Sequence, residues 1–357
     1  MRYGIDKTSE KPAYIQIYTR FRNDIVNGVY KYGEKLPSKR LVSMEMGVSV
    51  VTVEHAYNLL VDEGYIISRE RSGFFVEYND GDCFPVGELK KTEKKPDYHS
   101  IDTDFPFSVY CKIIRRVLTE YGEDILIKSP DNGCSELREA VSSYLLRSRG
   151  IGVDPTQIII GSGAEYLYSL IVQMLGRDKV FALEDPSYEK IKKVYSANGV
   201  EIRMLKMGDD GIKSKELEKT DATVLHVTPF NSFPSGVTAT ASKRNEYVRW
   251  ARERNAFLIE DDFDSEFTVS TKMADTLFSL EPERTIYMNT FSKTIAPSVR
   301  IGYMILPENL LDLFEKTVGF YSCTVPILEQ YVLAEFINNG DFERHINRVR
   351  RKRRNIK

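Results

Sequence analysis

An α/β fold, preceded by a small helical module that ends in a hairpin, is what this sequence predicts, and three observations carry the prediction. Helical periodicity with capping signals, then two short strand-like runs, fill the chain up to residue 78. A polar, charged stretch without apolar periodicity follows over 79–99. From about Ile101 short β runs alternate with helical stretches, which is the pattern of a largely parallel sheet.

Composition narrows the classes. The 357 residues are 42% hydrophobic, enough for a buried core and for two or three domains. A formal net charge of -2 leaves no overall basic balance, so any affinity for nucleic acid must come from local charge. Cys83, Cys111, Cys134 and Cys323 are scattered without a CxxC pair, which predicts reduced thiols and no metal site. No apolar run is long enough to span a bilayer, and no signal-peptide core opens the chain. The cytoplasm is the expected compartment, with no membrane partner.

The first helix is predicted over 13–27. Tyr14, Ile17, Tyr18, Phe21 and Ile25 recur at helical spacing, and Gly28 stops it. Pro37 and Ser38 open a short second helix, with Ser38 as cap, Leu41, Val42 and Met44 as apolar contacts, and Gly47 as breaker. Ser49 caps a third, whose buried face is Val53, Ala56, Tyr57 and Leu60 and which ends at Gly64. "YIISRERSGFFVEY" reads as two strands around a charged turn, Arg69 to Gly73. Helix, helix–turn–helix, then hairpin is the order of a winged helix, assigned to 1–78.

The stretch 79–99 reads as a linker. Beyond it "QIIIGSG", "KVFALED", "EIRMLKM", "ATVLHVTP", "NAFLIEDD", "TIYMNTFS" and "IGYMILP" are strand candidates, with helical patterns between many of them. They make 100–340 an α/β domain with a mostly parallel sheet flanked by helices. No internal repeat is present.

A recognition helix presents short polar or basic side chains from its first turn to base edges and phosphates. Here that turn carries Ser49 and Thr52, with His55 one turn on. Ser38, Lys39 and Arg40 open the preceding helix, where a phosphate would meet backbone N–H groups, and Arg69 and Arg71 flank the wing tip. Any one of these residues is more often part of a solvated face. The ordered set "LPSKR", "GVS", "EGY" and "SGFFV" resembles the winged-helix domain of the GntR family of bacterial regulators over roughly residues 10–78. The resemblance implies a double-stranded DNA operator as partner. Val50 departs from it, standing where the family is often basic.

In "NTFSKTIAPSVRIG", Lys293 lies between small polar residues and Arg300 follows seven places later. A lysine after a strand is usually a solvated surface group. The sharper reading is a Schiff-base lysine, whose usual partner is pyridoxal 5'-phosphate, and that cofactor makes separate demands on the chain. Its phosphate needs backbone donors at a helix N-terminus, and "IIIGSGAEYLYSLI" supplies Ser162, Gly163 and Ala164 between strand and helix. Its ring wants a flat partner, and Tyr188 follows a strand and a turn. Its pyridine nitrogen wants a carboxylate, and Glu260, Asp261, Asp262 and Asp264 end an apolar strand, where a metal site or a solvated acidic turn competes as a reading. Thr290, Ser292 and Arg300 beside Lys293 are natural phosphate ligands.

These features fall in the order and spacing of the fold-type I aminotransferases. They resemble most closely the MocR/GabR-like regulators, in which such a domain follows a GntR-type winged helix. "TPFNSFPSGV", "LIEDDFDSEF" and "NTFSKTIAPSVRIGYMILP" carry the resemblance, which spans nearly the whole chain. It implies that Lys293 holds the cofactor as a Schiff base, that Asp261 pairs with the pyridine nitrogen and that Tyr188 stacks on the ring. Ser162, Gly163, Ala164, Thr290, Ser292 and Arg300 would surround the phosphate, and Asn231 would lie in the segment lining the O3′ side. A homodimer whose subunits complete each other's pockets is also implied.

Phe263 stands where the family usually has tyrosine, and Asn231 and Ser232 where these regulators commonly have histidine and glutamine. Both departures weaken the case for efficient transamination more than the case for cofactor binding. The final "GDFERHINRVRRKRRNIK" falls where the family's C-terminal small domain begins. Residues 341–357 are thus read as the basic start of a truncated domain that would carry the substrate-clamping arginine, and their arginines as an interrupted helix or as extra DNA affinity. Three functions compete: a regulator sensing an amine or amino acid through exchange at Lys293, a true aminotransferase carrying a DNA module, and a relic that binds DNA without cofactor. Retention of both Lys293 and Asp261 speaks against the relic.

Overall fold

The structure is a computed structural model that describes residues 5–6, 9, 11–79, 105–262, 265–267 and 275–356. The expected linker, Asn79 apart, and Phe263 and Asp264 lie outside the described residues. The chain divides into two compact units, Met1–Tyr98 and His99–Lys357.

In the first unit, helices α1 (Ala13–Val26), α2 (Lys39–Met46) and α3 (Val50–Asp62) precede an antiparallel hairpin of β1 (Ile66–Arg69) and β2 (Gly73–Val76). The predicted order is therefore present. Ser38 Oγ accepts from Leu41 N–H and caps α2, and Gly47 closes it in the left-handed conformation at φ 66°. Ser49 Oγ accepts from Thr52 N–H and caps α3. Ile17, Phe21 and Ile25 of α1 pack on Val53, Ala56, Tyr57 and Leu60 of α3, with Ile66 and Val76 closing the core. One expectation fails. Leu41 and Met44 are exposed, at 47% and 80%, because the short α2 contributes to the core through Val42 and Met46, four residues apart on the opposite face.

In the second unit, α4 (Phe107–Tyr121) and α5 (Ser135–Arg149) lead into an eight-stranded sheet of order β3-β10-β9-β8-β7-β4-β5-β6. All seven strand candidates are strands: β3 (Ile158–Gly161), β4 (Val180–Asp185), β5 (Glu201–Gly208), β7 (Val224–Val227), β8 (Phe257–Asp261), β9 (Thr285–Thr290) and β10 (Gly302–Ile305). The short β6 (Gly211–Ile212) adds a hairpin to β5. Pairings β4–β5, β4–β7, β7–β8 and β8–β9 are parallel, and β10 runs antiparallel to both β3 and β9.

Helices cover both faces, and side-chain alternation along each strand feeds both layers. Ile158 and Ile160 join the layer built on α5 and α12 (Ile327–Asn338), while Ile159 joins that of α6 (Ala164–Leu175), α7 (Glu189–Ala197) and α11 (Glu308–Thr317). A further cluster, centred on Tyr247, Trp250 and Ala251 of α9 (Ala241–Arg254), takes in Leu225 and Leu258, and the short α8 (Ser214–Lys219) and α10 (Leu277–Leu280) border it. The arginine-rich α13 (Asp341–Ile356) is docked, with Phe342, His345 and Ile346 buried and His345 Nε2 2.8 Å from the Thr294 carbonyl.

Candidate functional site

The N-terminal unit presents a polar rim around the first turns of α2 and α3. Ser38, Arg40, Ser49 and His55 are exposed there, and Arg69 and Arg71 are exposed at the hairpin turn, with Arg71 at φ 59°. Several of these groups are already engaged. Lys39 Nζ lies 2.5 Å from Glu54 Oε1. Ser49 and Thr52 share a 2.7 Å contact between their hydroxyls. His55 meets Tyr14 edge-on, and the Arg69 guanidinium covers the Phe75 ring at 4.7 Å. Val50 and Val51 are exposed beside the cap, at 41% and 58%.

In the second unit, a cavity of about 440 Å³ opens at the carboxyl ends of the central parallel strands. Asp261 enters it from the end of β8, Thr290 from the end of β9, and Ser292, Lys293 and Arg300 from the segment between β9 and β10. Ala164 opens α6 and Tyr188 caps α7, and both also line the cavity. The fold thus gathers Ala164, Tyr188, Asp261, Thr290, Ser292, Lys293 and Arg300 from four loops.

Gly163, with φ 96°, lets the backbone approach the arginine: a Cβ there would lie 2.9 Å from Arg300 Nη2. Ser162 does not line the cavity, and its N–H donates to Thr324 Oγ1 at 3.1 Å. Ser292 Oγ donates to the Val299 carbonyl at 2.8 Å. Asn231 is exposed at φ 56° and lies outside the lining, while Phe233, two residues on in the same segment, lines the cavity. Phe233 faces Tyr188 at a ring distance of 6.0 Å.

The three described carboxylates at the end of β8 go three ways. Glu260 turns to the start of α10, where Leu277 N–H donates to one oxygen at 3.0 Å and Phe278 N–H to the other at 2.9 Å. Asp262 is held by Arg149 at 2.6 Å and by the Tyr287 hydroxyl at 2.5 Å. Burial works against the Arg149 charge, and the groups around it, Asp262 foremost, more than restore it. Asp261 alone faces the cavity, and it is 2% exposed. Tyr168 donates to its Oδ2, and His226 Nε2 lies 3.7 Å from that same oxygen. Asp261 Oδ1 accepts no hydrogen bond from any described residue. A buried carboxylate oxygen in that state is costly unless a donor meets it. Burial, and then Asp261, hold the Tyr168 hydroxyl well above its ordinary range, so it stays a donor.

Tyr168, His226, Phe233 and Glu184 were not read from the sequence. Tyr168 and His226 lie inside apolar runs of α6 and β7, where nothing local sets them apart. Tyr195 Oη stands 2.7 Å from His226 Nδ1 and holds that ring from behind. Glu184 accepts from Ser232 Oγ at 2.6 Å, and burial pushes its carboxyl up to about 8.

Residues 13–76 match the family described as bacterial regulatory proteins, gntR family. The chain is 36% identical to the HTH-type transcriptional regulator YdeL of Bacillus subtilis over 97% of its own length and 78% of the relative's. It is 28% identical to the probable rhizopine catabolism regulatory protein MocR of Rhizobium meliloti, covering 97% of this chain and 76% of that one. The fold of the kynurenine aminotransferase of Pyrococcus horikoshii superposes with a TM-score of 0.64 at 25% identity, over 69% of this chain and 64% of that one, which is under two thirds of its length. With a winged helix first in the sequence, an aminotransferase-like α/β unit after it and 97% of its own length matched by such relatives, the chain belongs to the MocR/GabR-like subfamily of GntR-type transcriptional regulators.

Proposed function

We propose that this regulator binds pyridoxal 5'-phosphate in the cavity of its α/β unit and senses an amine or amino acid that takes the place of Lys293 on the cofactor. The observation that carries the reading is the buried Asp261 Oδ1, unpartnered among the described residues, on a residue lining the cavity that Lys293 and Arg300 also line. A pyridinium N–H is a donor of the kind that oxygen lacks. When bound, pyridoxal phosphate supplies an aldehyde that condenses reversibly with amines and a ring that withdraws electrons from them.

The chain's own residues divide the rest of the work. Asp261 would keep a proton on the ring nitrogen, while Tyr168 holds its other oxygen by a hydrogen bond. Tyr188 and Phe233 wall the ring. Arg300, the N-terminal N–H groups of α6 and the Thr290 hydroxyl would receive the phosphate, joined by Ser292 once its hydroxyl leaves the Val299 carbonyl, with the glycine at position 163 admitting the guanidinium. Lys293 supplies the resident amine that an effector amine replaces. The winged helix reads the operator through Ser38, Lys39, Arg40, Ser49, Thr52 and His55, and through Arg69 and Arg71 of the wing, as a cytoplasmic homodimer on two half-sites.

The test is an absorption spectrum of the purified chain with pyridoxal phosphate, then borohydride reduction and peptide mapping. A single adduct at Lys293 supports the reading. An adduct scattered over surface lysines sinks it. Multiple turnovers with an amino donor and a keto-acid acceptor would instead make the chain a working aminotransferase.

A further inference from the structure

Glu165 is the second residue of α6, half-buried, and it lines the cavity with Asp261 and Lys293. Each of its oxygens holds a different cation. Oε1 meets Lys190 Nζ at 2.9 Å, and Oε2 meets Arg300 Nη2 at 2.9 Å. Arg300 is the guanidinium that lies against Gly163 at the start of the same helix. Lys190 comes from the first turn of α7, two residues after Tyr188. The cations lining the cavity are Lys190, Lys293 and Arg300, so one carboxylate occupies two of the three. The Lys190 hydrogen bond, with Arg300 adding to it, holds the Glu165 carboxyl below the usual range. It is therefore an anion at neutral pH.

A phosphate monoester entering this end of the cavity seeks the same partners: the α6 N-terminus, Arg300 and Lys190. Two anions cannot both take the arginine face-on. Either Glu165 gives up its contacts, or the phosphate binds beside a like charge.

We propose that Glu165 is a built-in competitor for the phosphate subsite, and that Lys190 and Arg300 are the countercharges it yields when a phosphorylated ligand binds. The proposal rests on reading the cavity as a pyridoxal phosphate site and adds how that site is tuned. A carboxylate tethered to the subsite weakens the phosphate's hold and leaves the aldehyde end untouched. The cofactor is then exchangeable, and its occupancy follows the free pyridoxal phosphate concentration.

The test titrates the full chain with pyridoxal phosphate and, separately, with pyridoxal, which lacks the phosphate. Wild type, Glu165→Gln and Glu165→Ala are compared, with adduct mapping at Lys293 in each. Both variants are expected to bind pyridoxal phosphate about tenfold more tightly at low salt and pyridoxal within about twofold of wild type, as for removal of one like charge near the surface. The gain shrinks as salt rises, and inorganic phosphate protects the variants against labelling at lower concentration than wild type. Unchanged or weaker pyridoxal phosphate binding in both folded variants overturns the proposal and makes Glu165 a support for Arg300. An equal gain for pyridoxal also overturns it, because the effect is then not on the phosphate. Absence of a Lys293 adduct in every form refutes the cofactor reading itself and takes this proposal with it.

Discussion

Asp261 and Glu184 are both buried acids near one cavity, and their surroundings give them opposite uses. Asp261 keeps one oxygen on the Tyr168 hydroxyl, and its other oxygen accepts no hydrogen bond from any described residue. Glu184 is sealed behind Ser232, and burial lifts it to about 8, as it does Glu260. The folded chain therefore holds protons there that the unfolded chain has released, between the ordinary value of 4.5 and about 8. The stability contributed by this protonation is complete below the unfolded value and is lost as pH rises through the folded one. Glu184→Gln removes its share of that loss. Thermal melts of the variant between pH 5 and 8 are expected to show a flatter fall of Tm with pH than wild type. A slope identical to wild type would mean that Glu184 is ionised in the fold.

At the scale of elements, helix starts decide where function sits. Ser49 caps α3, and its hydroxyl also meets Thr52. Ser49→Ala is expected to cost about 1 kcal/mol in urea unfolding of the winged helix and to weaken operator binding in a mobility-shift assay. A loss of DNA affinity without a stability change would assign Ser49 to base or phosphate contact rather than to the cap. At α6 the start is Gly163, with φ 96°. Gly163→Ala pushes the Arg300 guanidinium aside, and the backbone strain stays, since moving the side chain does not relieve a positive φ. Pyridoxal phosphate affinity is expected to fall by at least about tenfold, read by absorption titration, because the arginine and the helix N–H groups no longer converge. Affinity equal to wild type would place the phosphate elsewhere.

At the scale of the whole molecule, two units have separate cores, and the proposed function gives each a ligand of its own. Sensing requires that they be coupled, and coupling is reciprocal. If an amine that exchanges at Lys293 changes operator affinity by some factor, saturating operator must change amine affinity by the same factor. Fluorescence titrations of the amine with and without operator DNA check this. An amine that reacts at Lys293 while both affinities stay put would make the α/β unit a passive carrier.

Elements whose signals are local were legible in the amino-acid order. The caps at Ser38 and Ser49, the apolar face of α3 and all seven predicted strands need only neighbours in sequence to form. Lys293, Asp261 and Arg300 could be singled out because a cofactor's demands recur at loop ends after strands. What the sequence left open depends on contacts between distant segments. Leu41 and Met44 turn outward because α3 covers only one side of the short α2. The antiparallel insertion of β10 between β3 and β9 is a matter of sheet pairing that no strand records alone. The reason that Asp261, and not Glu260 or Asp262, lines the cavity is tertiary: Arg149 and Tyr287 hold Asp262, and the start of α10 holds Glu260. The grip of Glu165 on Lys190 and Arg300 joins residues 25 and 135 positions apart. Charges that meet only when the sheet has formed leave no periodic mark in the chain, so only the tertiary structure could bring them together.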